Sequence, residues 1–199
     1  MKKSLQIISF FTEGSPYEEE AKTLKNSCEQ FDLSAEITQL ESAGSWEKNV
    51  ALKPRFLLEK WKKSDRPLLW VDADAAFLQK PNFDLFNGID FSVRFMEIFQ
   101  DQPEYAVNTA TLFIDQTKEA KKLLEQWVKE CDLLCKDADA PFADQISLSR
   151  ALQKNKMAKV LPMPVAYCKI YDLDTFFIDD DKVVIEQRQA SRLYKGSLV

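Results

Sequence analysis

The chain has 199 residues, of which 45% are hydrophobic and 12% aromatic, so it can bury a hydrophobic core and we expect a single domain. Lys and Arg total 27 against 32 Asp and Glu, and the net charge of −5, without a long basic block, argues against nucleic acid as a partner. No stretch approaches 18 apolar residues, and the basic start "MKKSLQIISFF" lacks a cleavage pattern, so we expect a cytoplasmic protein without a transmembrane segment.

The first 71 residues alternate between strand and helix patterns. Apolar runs predict strands at 5–11, 35–40 and 68–71, and apolar residues at helical spacing predict helices at 16–30 and 46–62. The strand at 68–71 is apolar on both faces, as strands in a parallel sheet covered by helices are. This order predicts an α/β fold of the Rossmann-like kind, with a central, mostly parallel sheet flanked by helices.

Two local signals mark the limits of these helices. Ser15 and Glu18, three residues apart, form a capping-box pattern, and Pro16 occupies the first helical position. Pro54 lies inside the segment 46–62, where a proline removes a helical hydrogen bond. We therefore expect the first helix to start at Pro16 and the second to be kinked or divided near Pro54.

The second half of the chain has shorter elements. Residues 90–95 and 111–114 are strand candidates, while 117–134 and 141–152 carry apolar residues at helical spacing. From residue 182 onward we expect a strand followed by polar residues. With neither a repeat nor a low-complexity linker in the sequence, these segments are expected to join the same domain.

Two carboxylates follow the predicted strand at 68–71, in the stretch "PLLWVDADAAF". Ligands of open α/β sheets bind beyond the carboxyl ends of the strands, which is where Asp72 and Asp74 lie. Acidic residues at i and i+2 of an extended chain point the same way and suit Mg²⁺ or Mn²⁺ carrying a phosphorylated substrate. Taken alone, however, the pattern favours a solvated turn in an acidic protein.

The surrounding sequence resembles a known family over nearly its whole length. The stretches "IISFFTEGSPYEEEAKTLKNSC", "GSWEKNVALKPRFLLEKW", "RPLLWVDADAAFLQKPNFDLF", "TATLFIDQTKEAKKLLEQW", "ADQISLSRAL" and "VVIEQRQASRLYK" are similar, in this order, to small bacterial nucleotide-diphospho-sugar transferases of the GT-A glycosyltransferase fold. The resemblance implies one GT-A-like domain over residues 1–199, with a nucleotide-binding half at 1–95 and a donor and acceptor half at 96–199. In this family the D-x-D motif, here Asp72 and Asp74, binds Mn²⁺ or Mg²⁺, which holds the donor diphosphate.

The implied reaction moves a sugar from a nucleotide-diphosphate sugar, by analogy a UDP-sugar, to a hydroxyl of an unknown glycan, lipid or protein. The resemblance assigns nucleotide contacts to Thr12 and Glu13, which an ordinary strand-to-helix turn would also explain. Trp46, Asn49 and Lys53 are spaced by three and four residues, so one helical face can present them to the nucleotide. Lys53 could meet phosphate there as a point charge, although Trp46 in the core and Lys53 at the surface would fit the spacing equally well.

The stretch "TATLFI" resembles the strand that contacts the donor sugar in this family. Relatives usually read Ser-Gly-Thr at this place, which implies that Thr109, Ala110 and Thr111 line the donor site. Ala110 takes the position of the glycine. If the backbone approaches the sugar closely, its Cβ would narrow the site.

Asp144 and Gln145, in "ADQISLSRAL", occupy a position that GT-A relatives use near the transferred sugar or the acceptor. The resemblance makes them the catalytic candidates. Asp144 would take the acceptor proton in an inverting enzyme, or orient the sugar or stabilise positive charge in a retaining one. Helix capping would also explain an aspartate at the start of a helix.

A further metal ligand is expected from the late stretch "VVIEQRQASR". Many GT-A enzymes use a histidine there, but this chain contains none. Glu186 or Gln187 could substitute through oxygen, and a water molecule is the alternative. Arg188 and Arg192 could hold the diphosphate with their guanidinium groups, or belong to a solvated basic tail.

Two other functions stay open at this point. A phosphohydrolase like the haloacid dehalogenases would use the D-x-D motif together with Asp179 and Asp180 of "FFIDDDK". Against it, about seventy residues precede Asp72, and Ala76 stands where Thr or Val is expected. A nucleotide-sugar-binding protein without turnover would account for the missing histidine and for Ala110.

Overall fold

The computed structural model of the chain describes residues 4–99, 101–136, 140–174 and 177–194. The strands are β1 (Gln6–Thr12), β2 (Ala35–Leu40), β3 (Leu68–Val71), β4 (Ala75–Phe77), β5 (Phe91–Phe95), β6 (Val107–Ile114), β7 (Val160–Pro162), β8 (Lys169–Ile170) and β9 (Ile185–Gln187). The helices are α1 (Tyr17–Gln30), α2 (Trp46–Ala51), α3 (Lys53–Lys63), α4 (Lys118–Leu134), α5 (Ala143–Lys154) and α6 (Ala190–Tyr194). Within these ranges, no helix combines the length and the hydrophobicity that crossing a membrane requires.

Six strands form the central sheet, in the order β2-β1-β3-β6-β5-β7. β1 pairs in parallel with β2 and β3, and β5 pairs in parallel with β7. β6 is antiparallel to both of its neighbours, β3 and β5. It follows β5 without an intervening α-helix, a connection that antiparallel neighbours allow. Five strands thus share one direction, and the predicted α/β fold with a mostly parallel sheet is confirmed as a mixed sheet in which β6 is the exception.

Helices cover both faces of this sheet. On one face, Trp70 of β3 packs in a cluster with residues of α3, α4 and α5, including the fully buried Trp127. On the other face, Leu69 and Phe113 pack in a cluster with Leu24 of α1. Burial on both faces explains why β3 reads as a continuous rather than an alternating apolar run.

A second, three-stranded sheet holds the segment that follows the acidic pair. Its order is β4-β9-β8, and β4 begins at Ala75, directly after Asp74. β4 pairs antiparallel with β9, so that Ala75 lies opposite Gln187. The strand predicted after residue 182 is confirmed, but the short helix α6 that follows it was not predicted. Residues 195–199 of the predicted polar tail lie outside the described residues.

The two predicted helix boundaries have different outcomes. The division near Pro54 is confirmed, because α2 ends at Ala51 and Pro54 lies in the first turn of α3, where its missing N–H is not needed. The capping box is wrong, because the Ser15 hydroxyl donates to the Thr12 carbonyl at 2.6 Å and does not cap α1. The Glu18 carboxylate instead accepts from the N–H of Gly14 at 2.7 Å and so fixes the turn before the helix.

Thr117 caps helix α4, since its Oγ1 accepts a hydrogen bond from the N–H of Ala120 at 3.1 Å. Thr117→Ala removes this acceptor, and we expect the free energy of unfolding, measured in urea, to fall by about 1 kcal/mol. Thr117→Ser keeps an acceptor oxygen and should lose clearly less. Equal losses in the two variants would show that the hydroxyl does not stabilise the helix.

Candidate functional site

A cavity of about 700 Å³ opens at the carboxyl ends of β1 and β3. This is the edge at which an open α/β sheet binds its ligands. Most of the residues selected from the sequence line this cavity: Thr12, Glu13, Trp46, Asn49, Lys53, Asp72, Asp74, Thr109, Ala110, Asp144, Gln145 and Arg192. The fold therefore brings together residues that are spread over 181 positions of the chain, from Thr12 to Arg192.

Lys53 is the centre of the polar network in this cavity, although its side chain is only 6% exposed. Its Nζ lies 2.9 Å from Asp72 Oδ1 and 2.8 Å from Asp144 Oδ2. It also donates to Thr109 Oγ1 at 3.2 Å and lies over the ring of Trp70, 5.3 Å from the centroid. Lys53 is therefore a buried cation between two carboxylates and not the surface lysine that its spacing also allowed.

The electrostatics of Lys53 follow from this position. Burial would lower the pKa of the ammonium group, but the carboxylates of Asp144 and Asp72 outweigh it and raise the pKa above its ordinary value. The lysine consequently stays charged over the whole working pH range. A permanent positive charge thus links β3, α3 and the start of α5.

Asp144 uses its side chain for this network and not for capping. The carboxylate is buried, and its Oδ2 accepts from the Thr109 hydroxyl at 2.6 Å as well as from Lys53. The main-chain carbonyl of Asp144 accepts from Trp127 Nε1 at 2.9 Å, which ties the start of α5 to α4. Within the described part of the chain, these bonds connect Asp144 to the donor-strand candidate Thr109.

The two residues of the D-x-D motif have different surroundings. Asp72 Oδ1 accepts from both Lys53 Nζ and Trp70 Nε1, and burial outweighs Lys53 so that the pKa of Asp72 is raised. Asp74 is 7% exposed, and its Oδ2 accepts from the N–H of Ala190 at 2.7 Å. Burial and then the charge of Asp72 raise the pKa of Asp74 to about 6. The pair therefore has more negative charge than the surrounding protein compensates.

This imbalance fits a divalent cation between the two carboxylates. Both donors are hard oxygen ligands, as Mg²⁺ and Mn²⁺ prefer, and the hydrogen bonds to Asp72 fall on Oδ1, so Oδ2 is the oxygen available to a metal. No group of three or more His, Cys, Asp or Glu suited to a metal occurs in the described ranges.

Four of the residues selected from the sequence do not line the cavity: Thr111, Glu186, Gln187 and Arg188. Glu186 pairs with Lys169 at 3.4 Å. Gln187 is fully buried behind β6, where its Nε2 donates to Thr111 Oγ1 at 2.8 Å and to the Ala110 carbonyl at 3.3 Å. Thr111 faces this amide and not the cavity. Arg188 donates to Glu20 at 3.0 Å, and its backbone N–H donates to the Asp74 carbonyl. Gln187 and Arg188 thus hold strand β6 and the acidic loop, residues 72–74, from behind.

The remaining selected residues lie at the walls of the cavity. Trp46 packs edge-on against Phe142, with 6.0 Å between the ring centroids. Asn49 accepts from the N–H of Ala43 at 2.7 Å, so it fixes the loop before α2. Arg192 lines the cavity and forms an ion pair with Asp172. The guanidinium group of Arg192 is thus held by Asp172.

Several lining residues were missed by the sequence analysis. Trp70 could have been found, because it lies in β3 two residues before Asp72, and residues two apart in an extended chain share a face. Tyr17, whose pKa is raised by burial and then by the charge of Asp74, reads in the sequence only as the start of a helix. Phe142 adopts a left-handed backbone conformation that the sequence does not indicate.

The acidic pair of the phosphohydrolase alternative lies away from this cavity. Asp179 pairs with Lys182 at 2.7 Å, and Asp180 pairs with Lys169 at 2.6 Å. The side chains of Asp179 and Asp180 are 73% and 88% exposed. Neither residue lines the cavity that contains the D-x-D motif. The arrangement gives that alternative no support.

Comparison with known proteins agrees with this architecture. No protein-family model matches the chain, and no curated protein matches its sequence. Among solved structures, it is similar to the crystal structure of a glycosyltransferase involved in the glycosylation of the major capsid of PBCV-1, with a TM-score of 0.69 and 11% sequence identity. The match covers 94% of this chain and 93% of that chain. At such low identity the similarity shows the fold alone, so the chain has a glycosyltransferase-like α/β fold.

Proposed function

We propose that the chain is a metal-dependent glycosyltransferase that uses a nucleotide-diphosphate sugar, by family resemblance a UDP-sugar. The observation that carries the proposal is the cavity at the strand ends, in which the undercompensated pair Asp72 and Asp74 lies in a glycosyltransferase-like fold. A sugar donor with a diphosphate and a divalent cation supplies the charges and the chemistry that such a cavity suits.

The residues would divide the work between donor and acceptor. Asp72 and Asp74 would hold Mn²⁺ or Mg²⁺, which when bound supplies charge neutralisation for the departing nucleoside diphosphate. Lys53 would keep Asp72 in a fixed orientation, because its Nζ is itself held in place by the carboxylate of Asp144. Arg192 at the rim would contact the diphosphate from outside. The nucleotide would contact Thr12, Glu13, Trp46 and Asn49.

The other half of the cavity would bind the reacting sugars. Thr109 and Ala110 on β6 would contact the donor sugar, and Asp144 and Gln145 at the start of α5 would lie beside the anomeric carbon. Asp144 Oδ2 is occupied by Lys53 and Thr109, so the other carboxylate oxygen is the one that can meet a substrate hydroxyl. This arrangement supports a division into a nucleotide half, 1–95, and a donor and acceptor half, 96–199.

The proposal predicts a metal-dependent stabilisation by one nucleotide. In a thermal-shift screen with UDP, GDP, ADP and their sugars, one diphosphate should raise Tm in Mn²⁺ or Mg²⁺, and EDTA should remove the shift. At 100 times Kd the stabilisation is about 2.7 kcal/mol, which is readily measured. The matching sugar donor should then release its nucleoside diphosphate in a coupled assay.

The screen also separates the alternatives. No shift with any nucleotide, in a protein that melts cooperatively, would contradict the proposed donor site. A metal-dependent shift without release of nucleoside diphosphate, tested with a panel of acceptors, would instead identify a nucleotide-sugar-binding protein without turnover.

A further inference from the structure

Phe142, at the start of α5, has an unusual backbone. Its φ of 57° and ψ of 32° place it in the left-handed region, which glycine adopts readily and aromatic residues rarely do. The residue precedes Ala143, the first residue of the helix, and its carbonyl accepts from the N–H of Ile146 at 3.0 Å. A glycine would make the same turn without steric strain, so the ring itself must be the reason for a phenylalanine here.

Core packing does not account for the ring. Phe142 is 38% exposed, whereas the aromatic residues of the two core clusters, such as Trp70 and Trp127, are almost completely buried. It lines the cavity, and the edge-on contact with Trp46 fixes the orientation of its face. Residues held in sparsely populated backbone conformations tend to cluster at functional sites. The exposed ring is therefore positioned for a ligand in the cavity.

The surroundings of Phe142 limit the chemistry of that ligand. The segment that contributes Phe99, Gln102 and Tyr105 to the cavity is tied to α5, because Ser149 Oγ donates to the Pro103 carbonyl at 2.8 Å. Phe99 and Tyr105 contribute aromatic rings and Gln102 contributes an amide, so none of the three carries a charge. Gln145, three residues after Phe142, adds a second amide to the lining.

Asp144, two residues after Phe142, is the charged residue of the described cavity lining nearest to it in sequence, and its charge is partly offset. The carboxylate of Asp144 is paired with Lys53 at 2.8 Å. A charged acceptor would find no counter-charge among five of the described lining residues: Phe99, Gln102, Tyr105, Phe142 and Gln145. Aromatic rings together with amides instead match a neutral sugar ring. The C–H face of the sugar stacks on an aromatic ring, while its hydroxyls hydrogen-bond to amides.

We propose that Phe142 is the stacking platform for a neutral sugar, and that the acceptor of the proposed transferase is therefore a glycan. The role of this sugar as an acceptor rests on the proposed function, whereas the binding of a sugar by Phe142 does not. Phe142 lies two residues before Asp144. A sugar stacked on its ring would present a hydroxyl to the side of the cavity that holds Thr109 and the donor sugar. Phe142 would thus determine which class of acceptor is used.

The test replaces the ring by the residue that its backbone favours. Phe142→Gly should keep or raise Tm, because it relieves the left-handed strain, yet it should weaken binding of neutral methyl glycosides at least about fivefold. Binding is measured by saturation-transfer NMR on the protein alone with methyl glycosides of glucose, galactose and mannose. Phe142→Tyr retains a ring and should stay within about twofold of the wild type. Asp32→Gly is the matched control, since exposed Asp32 has φ 56° outside the cavity.

Each outcome decides for or against the platform. Intact Tm with lost glycoside binding supports it, especially if the nucleotide-induced shift is unchanged. A lower Tm in Phe142→Gly but not in Asp32→Gly would show that the ring has a structural role and would overturn it. Unchanged glycoside binding, or loss of nucleotide-sugar binding alone, would overturn it too. A wild-type protein that binds glycosides but no nucleotide would contradict the proposed function and would still support the sugar platform.

Discussion

Asp74→Asn is expected to make the protein more stable while removing its metal-dependent nucleotide binding. Burial and the charge of Asp72 raise the pKa of Asp74 from 3.8 to about 6, so the ionised carboxylate opposes folding at neutral pH. The asparagine removes that charge, and its Oδ1 still accepts from the N–H of Ala190. We expect the free energy of unfolding at pH 8 to rise by about 1–3 kcal/mol.

The pH dependence gives the sign of this effect. A carboxyl group with a raised pKa favours the folded state fully below its ordinary pKa of 3.8, and this contribution is lost as the pH rises through about 6. The gain from the asparagine should therefore be largest above pH 6 and vanish near pH 4, in urea titrations at several pH values. Asp132→Asn, at an exposed pair with Arg55, is the control and should show almost no gain. Nucleotide binding in Mn²⁺ that survives in Asp74→Asn would argue strongly against the proposed metal site.

Lys53→Met is expected to have the largest effect on stability. It leaves the carboxylates of Asp72 and Asp144 close together without the cation that both contact at less than 3 Å. Breaking a buried ion pair from one side lowers the free energy of unfolding by about 3–5 kcal/mol. The loss should be greatest at neutral and higher pH and shrink in acid, because protonated carboxyl groups no longer need the lysine.

A second lysine of the same helix provides a matched control. Lys60 also lies over an aromatic ring, that of Phe56 at 5.1 Å, and also pairs with a carboxylate, that of Glu36. Glu36 is 47% exposed, so Lys60→Met should change stability by at most about 1 kcal/mol. Equal losses at the two positions, or a loss at Lys53 that does not depend on pH, would contradict the account of Lys53 as a buried shared cation.

Local patterns were sufficient to predict much of the architecture. The alternation of strand and helix patterns, with a strand ending at Val71 that is apolar on both faces, predicted a covered sheet with Asp72 at the end of that strand. Pro54 predicted the division of the second helix, because its effect depends only on its own missing N–H. Elements that are determined by neighbouring residues in sequence could be predicted in this way.

Features that depend on distant residues could not. The direction of β6 depends on which strands it pairs with. The pattern of its residues, Val107–Ile114, fits a parallel strand as well as an antiparallel one. The pairing of Lys53 with two carboxylates joins α3 to residues 19 and 91 positions further along the chain. The backbone of Phe142 cannot be predicted from its side chain, because local preference favours other conformations. Such features are decided by tertiary structure.

The contact between Asp74 and Ala190 spans 116 residues. A ribosome makes the D-x-D motif early, but β9 and the N–H groups that hold Asp74 come near the end of the described chain. A nascent polypeptide whose β9 is still inside the exit tunnel therefore has both acids but not the strand that fixes their loop. Synthesis of β9 and Ala190 thus sets the moment at which the loop that carries Asp72 and Asp74 takes its final form, so that the growing chain cannot assemble this cavity before these residues are made.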